Sequence, residues 1–227
     1  FMIKGNYKKN GDEEEIYCGV KRRQKKQFKR GQKEYEKLSD HIGLIPLVMV
    51  SPDDIQLISE GSDERRKFMD GVISQYNKTY LQQLLQYNIV LKQRNALLKS
   101  ERPVDTDIFE VLEEQMDVLG QYIFQERTKF ITAFIPVFQN FYIKISGDKE
   151  QTNLQYISQY QRHNGLSERM AETRERDLIL GFTTQGIHKD ELEMSLGDHP
   201  IKKVGSQGQN KTYLIALKFA QFDFLKK

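Results

Sequence analysis

The sequence predicts an α/β fold of the α+β kind: a β-rich start, a long helical hairpin inserted after it, and a return to strands that leads into a final helix. Three observations carry this. Strand-like segments with turn residues between them occupy the first 33 residues and recur from residue 141. The middle, 62–141, instead repeats its apolar residues at helical spacing. A short break at 100–105, containing Pro103, divides that middle in two, as an antiparallel pair of helices requires.

At the start, MIKGNYKK and EEIYCGVKRR flank an Asn10-Gly11 hairpin turn, and Gly31 marks a second turn. Lys21 to Lys33 then holds Lys21, Arg22, Arg23, Lys25, Lys26, Lys29, Arg30 and Lys33 without an acid, in a segment read as a basic strand pair. Such a run suits a phosphate backbone, and it suits a solvated edge equally well. Residues 44–50, LIPLVMV, read as a strand covered on both faces. Ser51-Pro52-Asp53-Asp54 follows as a helix start, with a capping Ser, Pro in the first turn and acids near the positive helix end.

In the helical middle, Leu84, Leu91 and Leu98 repeat at seven residues, and Ile108, Leu112, Met116, Leu119, Ile123, Phe130, Phe134, Val137, Phe138 and Phe141 form the facing stripe. Pro136 is expected to kink or end that helix. FYIKIS and NLQYISQYQ read as strands, SERMAETRERDLIL as one charged helix capped by Ser167, and Leu192, Met194 and Leu196 as the inward face of a strand. His188, beside Asp190 in IHKDEL, has no second His or Cys at metal-ligand spacing and reads as a structural histidine. No GxSxG nucleophile elbow occurs.

Composition limits the function classes. With one cysteine, Cys18, neither an internal disulfide nor a cysteine-built zinc site is available, and a cytoplasmic setting is expected. Strongly negative mean hydropathy and the lack of any long apolar run argue against a membrane span. The net charge of +3 is too small to imply nucleic acid by itself.

The stretch VGSQGQNKTYLIALKFAQFDFL, 204–225, organises the rest. A small flexible turn enters a helix that is apolar nearly all round and therefore expected to be buried. Its first turn offers unpaired N–H groups and the positive end of the helix dipole, a place for an anion such as phosphate, with Ser206 as cap. Gly205 to Thr212 also spells GxxxxNKT, one residue from the phosphate-wrapping GxxxxGK[ST], with Asn210 where glycine is needed. A P-loop, a phosphate-touching turn and a plain N-cap remain the three readings of this segment. The strand at Phe1 and the apolar helix ending near Lys227 are expected of an internal stretch of a longer product.

Four segments, in order, resemble the RecF family of bacterial DNA replication, repair and recombination proteins with an ABC-type ATPase head: SPDDIQLISEGSDERRKFMD (51–70), LLQYNIVLKQRNALLK (84–99), GIHKDEL (186–192) and GSQGQNKTYLIALKFAQ (205–221). The resemblance implies that 1–60 belong to an ATPase lobe, 61–140 to an inserted helical lobe, and 141–227 to a return to the first lobe. Ser206, Gln207, Gly208 and Gln209 would then be the ABC signature, touching ATP held by the other subunit of an ATP-dependent homodimer. It further implies ATP and Mg²⁺ in the complete protein, and gapped or junction DNA, single- and double-stranded, as partner. Cooperation with RecO and RecR in loading RecA, a place in the SOS response, and no membrane association complete the expectation. Lys21, Arg22, Arg23, Lys25, Lys26, Lys29 and Arg30 would meet DNA phosphates, while Arg65, Arg66 and Arg94 suit ion pairs as well as DNA.

The family's weak DNA-dependent ATPase needs a Walker A loop and a Walker B strand, and neither is in this chain. The chain alone is therefore expected to be inactive and to bind no nucleotide tightly. Two other classes compete. An SMC-like head would extend the hairpin into a coiled coil, against which the break at 100–105 argues, and a non-enzymatic helical-hairpin interaction protein would use Ser206 only as a cap.

Overall fold

The computed structural model describes residues 1–9, 11–101, 105–148, 150–163 and 165–226, so the predicted turn at Asn10 and the break at Pro103 lie outside the described residues. The chain divides into two compact units, Phe1–Ile45 and Pro46–Lys227. The first is an antiparallel sheet in the order β1 (Met2–Lys9), β2 (Asp12–Gly19), β3 (Gln27–Arg30), β4 (Lys33–Glu34). Ile3 faces Cys18 and Gly5 faces Ile16 in its register. The turn at Gly31 has the positive φ, 56°, that suits glycine. Only part of the basic run is strand. Lys21 to Lys26 form a loop between β2 and β3, consistent with the repulsion that like charges would meet on paired strands.

The second unit opens with a 3-10 turn, Pro52–Ile55, closed by a reciprocal cap: Ser51 N–H donates to Asp54 Oδ2 at 2.7 Å and Asp53 N–H to Ser51 Oγ at 3.3 Å. Helices α1 (Gln56–Ser59), α2 (Ser62–Tyr76), α3 (Lys78–Leu98) and α4 (Thr106–Ser146) follow. Then come β5 (Thr152–Ile157), α5 (Ser167–Glu172), α6 (Arg174–Leu180), β6 (Glu191–Leu196), β7 (His199–Pro200), α7 (Ile201–Val204) and α8 (Gln207–Lys226). Strands β5, β6 and β7 form a second antiparallel sheet in that order. The mixed helix and sheet content and the long α3–α4 hairpin are those the sequence predicts.

Helix α4 is the spine of this unit. Phe109, Glu113, Met116, Gly120, Ile123, Arg127, Phe130, Phe134, Phe138 and Tyr142 are buried on it at spacings of three or four, and the stripe packs on α3 and α8. Tyr213 of α8 stands against Phe138 and Tyr142, with ring centroids 4.8 and 5.7 Å away, and its hydroxyl donates to the Asn153 carbonyl at 2.9 Å.

Several local expectations are corrected. Residues 141–146 are the end of α4, not a strand, because Tyr142 extends the buried stripe onto Tyr213 and that packing outweighs the β-branched Ile143 and Ile145. Pro136 does not end the helix. It is exposed and lies inside α4, where its missing N–H removes one helical bond without ending the helix. Residues 44–50 are not a covered strand: they pair with no strand among the described residues, and Leu47, Met49 and Val50 are exposed. The charged helix is two, α5 and α6, divided at Thr173, and Ser167 is its first helical residue rather than its cap. Finally, α8 is buried on one side only, since Ile215, Phe219 and Phe222 are exposed.

Candidate functional site

The turn into α8 is built from close backbone packing. Gly205 N–H donates to the Ile201 carbonyl at 2.8 Å. A Cβ on Gly205 would lie 2.3 Å from Asn210 Oδ1 and 2.8 Å from the Ile201 carbonyl, so glycine is required there. The next residue sets the helix end. Ser206 N–H donates to Gln209 Oε1 at 2.7 Å, and Gln209 N–H donates to Ser206 Oγ at 3.2 Å. This is a capping box with Gln in the fourth place. Because Ser206 Oγ is the acceptor in that pair, its own proton remains available to a group outside.

A buried side chain holds the box in place. Gln209 Nε2 donates to Glu150 Oε1 at 2.5 Å, and the Tyr142 hydroxyl donates to Glu150 Oε2 at 2.5 Å. Tyr142 is fully buried on α4, and burial together with Glu150 raises its pKa above the ordinary value. The end of the spine helix thus positions Ser206 through two side chains. Ser206, Gln207 and Gly208 are exposed, and Lys202, Lys203 and Lys211 flank them in sequence with no acid between 202 and 212, the Glu150 carboxylate behind Gln209 being the acid of the turn. A Cβ on Gly208 would meet only Ser206 Oγ, at 3.9 Å. Nothing inside the molecule requires glycine at that place.

Chemically, the end of α8 offers a hydroxyl, helix-terminal N–H groups and positive charge, a set suited to holding a phosphate oxygen. The P-loop reading of Gly205 to Thr212 is corrected: Gly208, Gln209, Asn210 and Lys211 are helical, and the Asn210 N–H is committed to the Ser206 carbonyl at 2.9 Å, so no loop can wrap a phosphate.

The seven basic candidates lie in the first unit and the turn lies in the second. Lys21, Arg22, Arg23, Lys25 and Lys26 are exposed on the loop and make no ion pair among the described residues. The other two are engaged: Arg30 pairs with Glu14, and Lys29 Nζ lies 5.8 Å from the Tyr17 ring centre.

Arg65, Arg66 and Arg94 are fold residues. Arg65 makes two bonds of 2.7 Å to the Glu191 carboxylate, and Arg66 donates to the Asp190 carbonyl at 2.7 Å. Arg94, wholly buried, bonds Glu113 and Asp177, each at 2.8 Å. His188 is structural as well. Its Nε2 faces the Thr183 carbonyl at 3.0 Å, which can only accept, so Nδ1 accepts from the Tyr87 hydroxyl at 2.9 Å; burial lowers its pKa to about 4.

The sequence reading missed Arg127. Its guanidinium bonds Asp190 Oδ2 at 2.8 Å, the Ile187 carbonyl at 2.9 Å and Asp70 Oδ2 at 3.1 Å, tying the GIHKDEL segment to α2 and α4. The available signal was position: Glu113 and Arg127 both occupy the three-four spacing of the α4 stripe, where charge is costly unless paired.

No family model matches the sequence. Among curated proteins the chain is 61% identical over 228 residues to the DNA replication and repair protein RecF of Bacteroides thetaiotaomicron, covering all of this chain and 62% of that protein. The RecF proteins of Parabacteroides distasonis and Flavobacterium johnsoniae are 56% and 48% identical over all of this chain, which covers 61% and 64% of them. The chain thus spans about three fifths of the length of the curated relatives it matches. Of solved structures, that of the recombination mediator protein RecF-ATPrS in the RecFOR pathway superposes with a TM-score of 0.90 at 26% identity, covering 99% of this chain and 63% of that one. The corresponding RecF-ATP structure gives 0.88 at 27% identity, over 95% and 60%.

Proposed function

The chain belongs to the RecF family, and from that membership we propose that it forms part of an ATP-dependent DNA-binding protein of bacterial replication and recombinational gap repair. In this reading Ser206, Gln207, Gly208 and Gln209 meet the γ-phosphate of ATP carried by a second copy, so the nucleotide and the dimer interface form together. The observation that carries the reading is the exposed and pre-set end of α8: a serine proton free to donate, helix N–H groups beside it, and Gly208 open to a close approach from outside. A ligand that binds only the paired state stabilises that state by mass action, so ATP acts as the link between two copies.

The exposed loop of Lys21, Arg22, Arg23, Lys25 and Lys26 supplies charge for a DNA backbone, gapped or at a junction, with salt-dependent affinity. Lys29 and Arg30 contribute less, being held by Tyr17 and Glu14. RecO and RecR are the expected partners and RecA loading the expected outcome, in the cytoplasm; the names of the solved RecF structures place those proteins in the RecFOR pathway. Among the described residues no group of three or more His, Cys, Asp or Glu side chains is arranged to hold a metal.

The test uses a chimera in which this chain replaces the matched stretch of the Bacteroides thetaiotaomicron protein. Sedimentation with and without ATP is expected to show nucleotide-dependent dimers that Ser206→Arg abolishes, while the variant stays folded and loses only the roughly 1 kcal/mol of one helix cap. Dimers that persist in the variant would refute the role of the turn.

A further inference from the structure

Helix α6 ends in an apolar ridge left exposed among the described residues. Leu178, Ile179 and Leu180 are all exposed, Ile179 at 87%, and Phe182 is exposed beyond them. The chain between is a left-handed glycine, Gly181, with φ 71° and its N–H on the Asp177 carbonyl at 2.8 Å, so the ridge is a helix end of defined shape. Its floor is α3. Asn95 Oδ1 accepts from the Thr183 N–H and hydroxyl, both at 2.8 Å, and a Cβ on Gly181 would lie 3.6 Å from Lys99 Cγ. Beside this contact Asn88, Leu91, Lys92, Asn95, Ala96 and Lys99 line an open hollow of about 430 Å³. An apolar ridge and an adjoining hollow therefore share one face.

The rim of this face is cationic. Lys99 lies beside Gly181, Lys189 Nζ lies 4.8 Å from the Phe182 ring centre, Lys92 lines the hollow, and Arg176 is exposed on α6. None of these four makes an ion pair among the described residues, whereas Lys67, Lys129 and Arg169 on other faces are paired. Exposed acids also occur near it in sequence, Glu175 a turn before Ile179 and Glu101 two residues after Lys99.

We propose that the end of α6 and the adjoining face of α3 dock a partner protein segment whose apolar side chains are flanked by acidic ones. Apolar anchors buried at the centre of a contact supply most of the binding energy, and complementary charges at its rim supply orientation and discrimination. A second copy of this chain fits poorly, because a two-fold contact would bring Lys99 and Lys189 against the same lysines of the other copy. A nucleic-acid backbone would meet the lysines but leave Ile179 and Leu178 against charged phosphate, where burial gains nothing.

The experiment pans a phage-displayed library of random peptides on the whole 227-residue chain, then measures a synthetic copy of the enriched sequence by fluorescence anisotropy. The expected consensus pairs Leu, Ile or Phe with Asp or Glu. Ile179→Ser and the double variant Lys99→Glu/Lys189→Glu should each weaken binding roughly tenfold or more. All three positions are exposed, so the thermal midpoint should not move. A peptide with Lys in place of its acids should regain affinity for the double variant. Failure to enrich any peptide, a consensus without acids, or affinities equal in the variants would overturn the proposal. So would competition for the same face by vesicles of phosphatidylglycerol and phosphatidylcholine or by a DNA oligonucleotide, or self-association lost in Ile179→Ser; these outcomes assign the face to lipid, to nucleic acid or to a second copy.

Discussion

At the scale of single residues, the turn into α8 separates what the fold needs from what a ligand needs. Gly205 is required by its own surroundings, because Asn210 Oδ1 and the Ile201 carbonyl leave no space for a Cβ. Gly208 is not, and a glycine in a helix costs about 1 kcal/mol relative to alanine. Gly208→Ala is therefore expected to raise the stability of this chain by roughly 0.5–1 kcal/mol in urea melts while weakening ATP-dependent association of the chimera. Loss of stability, or unaltered association, would count against a close approach at Gly208. His188 makes a different prediction. Its folded pKa, about 4, lies below the ordinary 6.5, so the neutral ring stabilises the fold above pH 6.5 and that contribution is lost as pH falls from 6.5 towards 4. Roughly 2 kcal/mol should be gone by pH 5. Chemical melts at pH 7 and 5 measure this, and His188→Gln should flatten the difference.

At the scale of elements, α4 shows why the helical stripe was legible and its register only in part. From Met116 onward the predicted inward residues Met116, Ile123, Phe130, Phe134 and Phe138 are buried, while Leu119, Val137 and Phe141 are partly buried at the flank of the stripe. Before that, Ile108 is exposed while Phe109 and Glu113 are buried, because Arg94 and Arg174 on neighbouring elements neutralise Glu113. A hydrophobic count treats a glutamate as solvent-facing and so rotates the helix by one residue. Helix α8 has the opposite difficulty, since its residues are apolar on faces that the chain buries and on faces that it does not. Leu217→Ala, on the face against α4, should cost about 2–5 kcal/mol. Ile215→Ser, on the exposed face, should stay within about 0.5 kcal/mol. Equal losses from the two substitutions in thermal melts would contradict this division.

At the scale of the whole molecule, each unit has its own sheet, and only the second has helices packed in a large core. Residues 46–227 expressed alone are expected to retain the main cooperative transition at an unchanged midpoint, followed by circular dichroism at the helix band. A broadened or strongly lowered transition would show that the first unit contributes to that core. The comparisons act at this scale too, since their resemblance extends over the full chain.

The sequence by itself determined the helical hairpin, the terminal strands, the capped start at Ser51 and the exposed serine turn ahead of α8, because periodicity, caps and turn residues act within a few positions along the chain. Only the tertiary structure decided that 141–146 extend α4, that Arg94 and Arg127 are buried among carboxylates, and that Glu150 and Tyr142 hold the Ser206 turn. Each of those depends on partners far away in sequence, whose charge and volume change the free energy of a segment that local preference alone would place elsewhere.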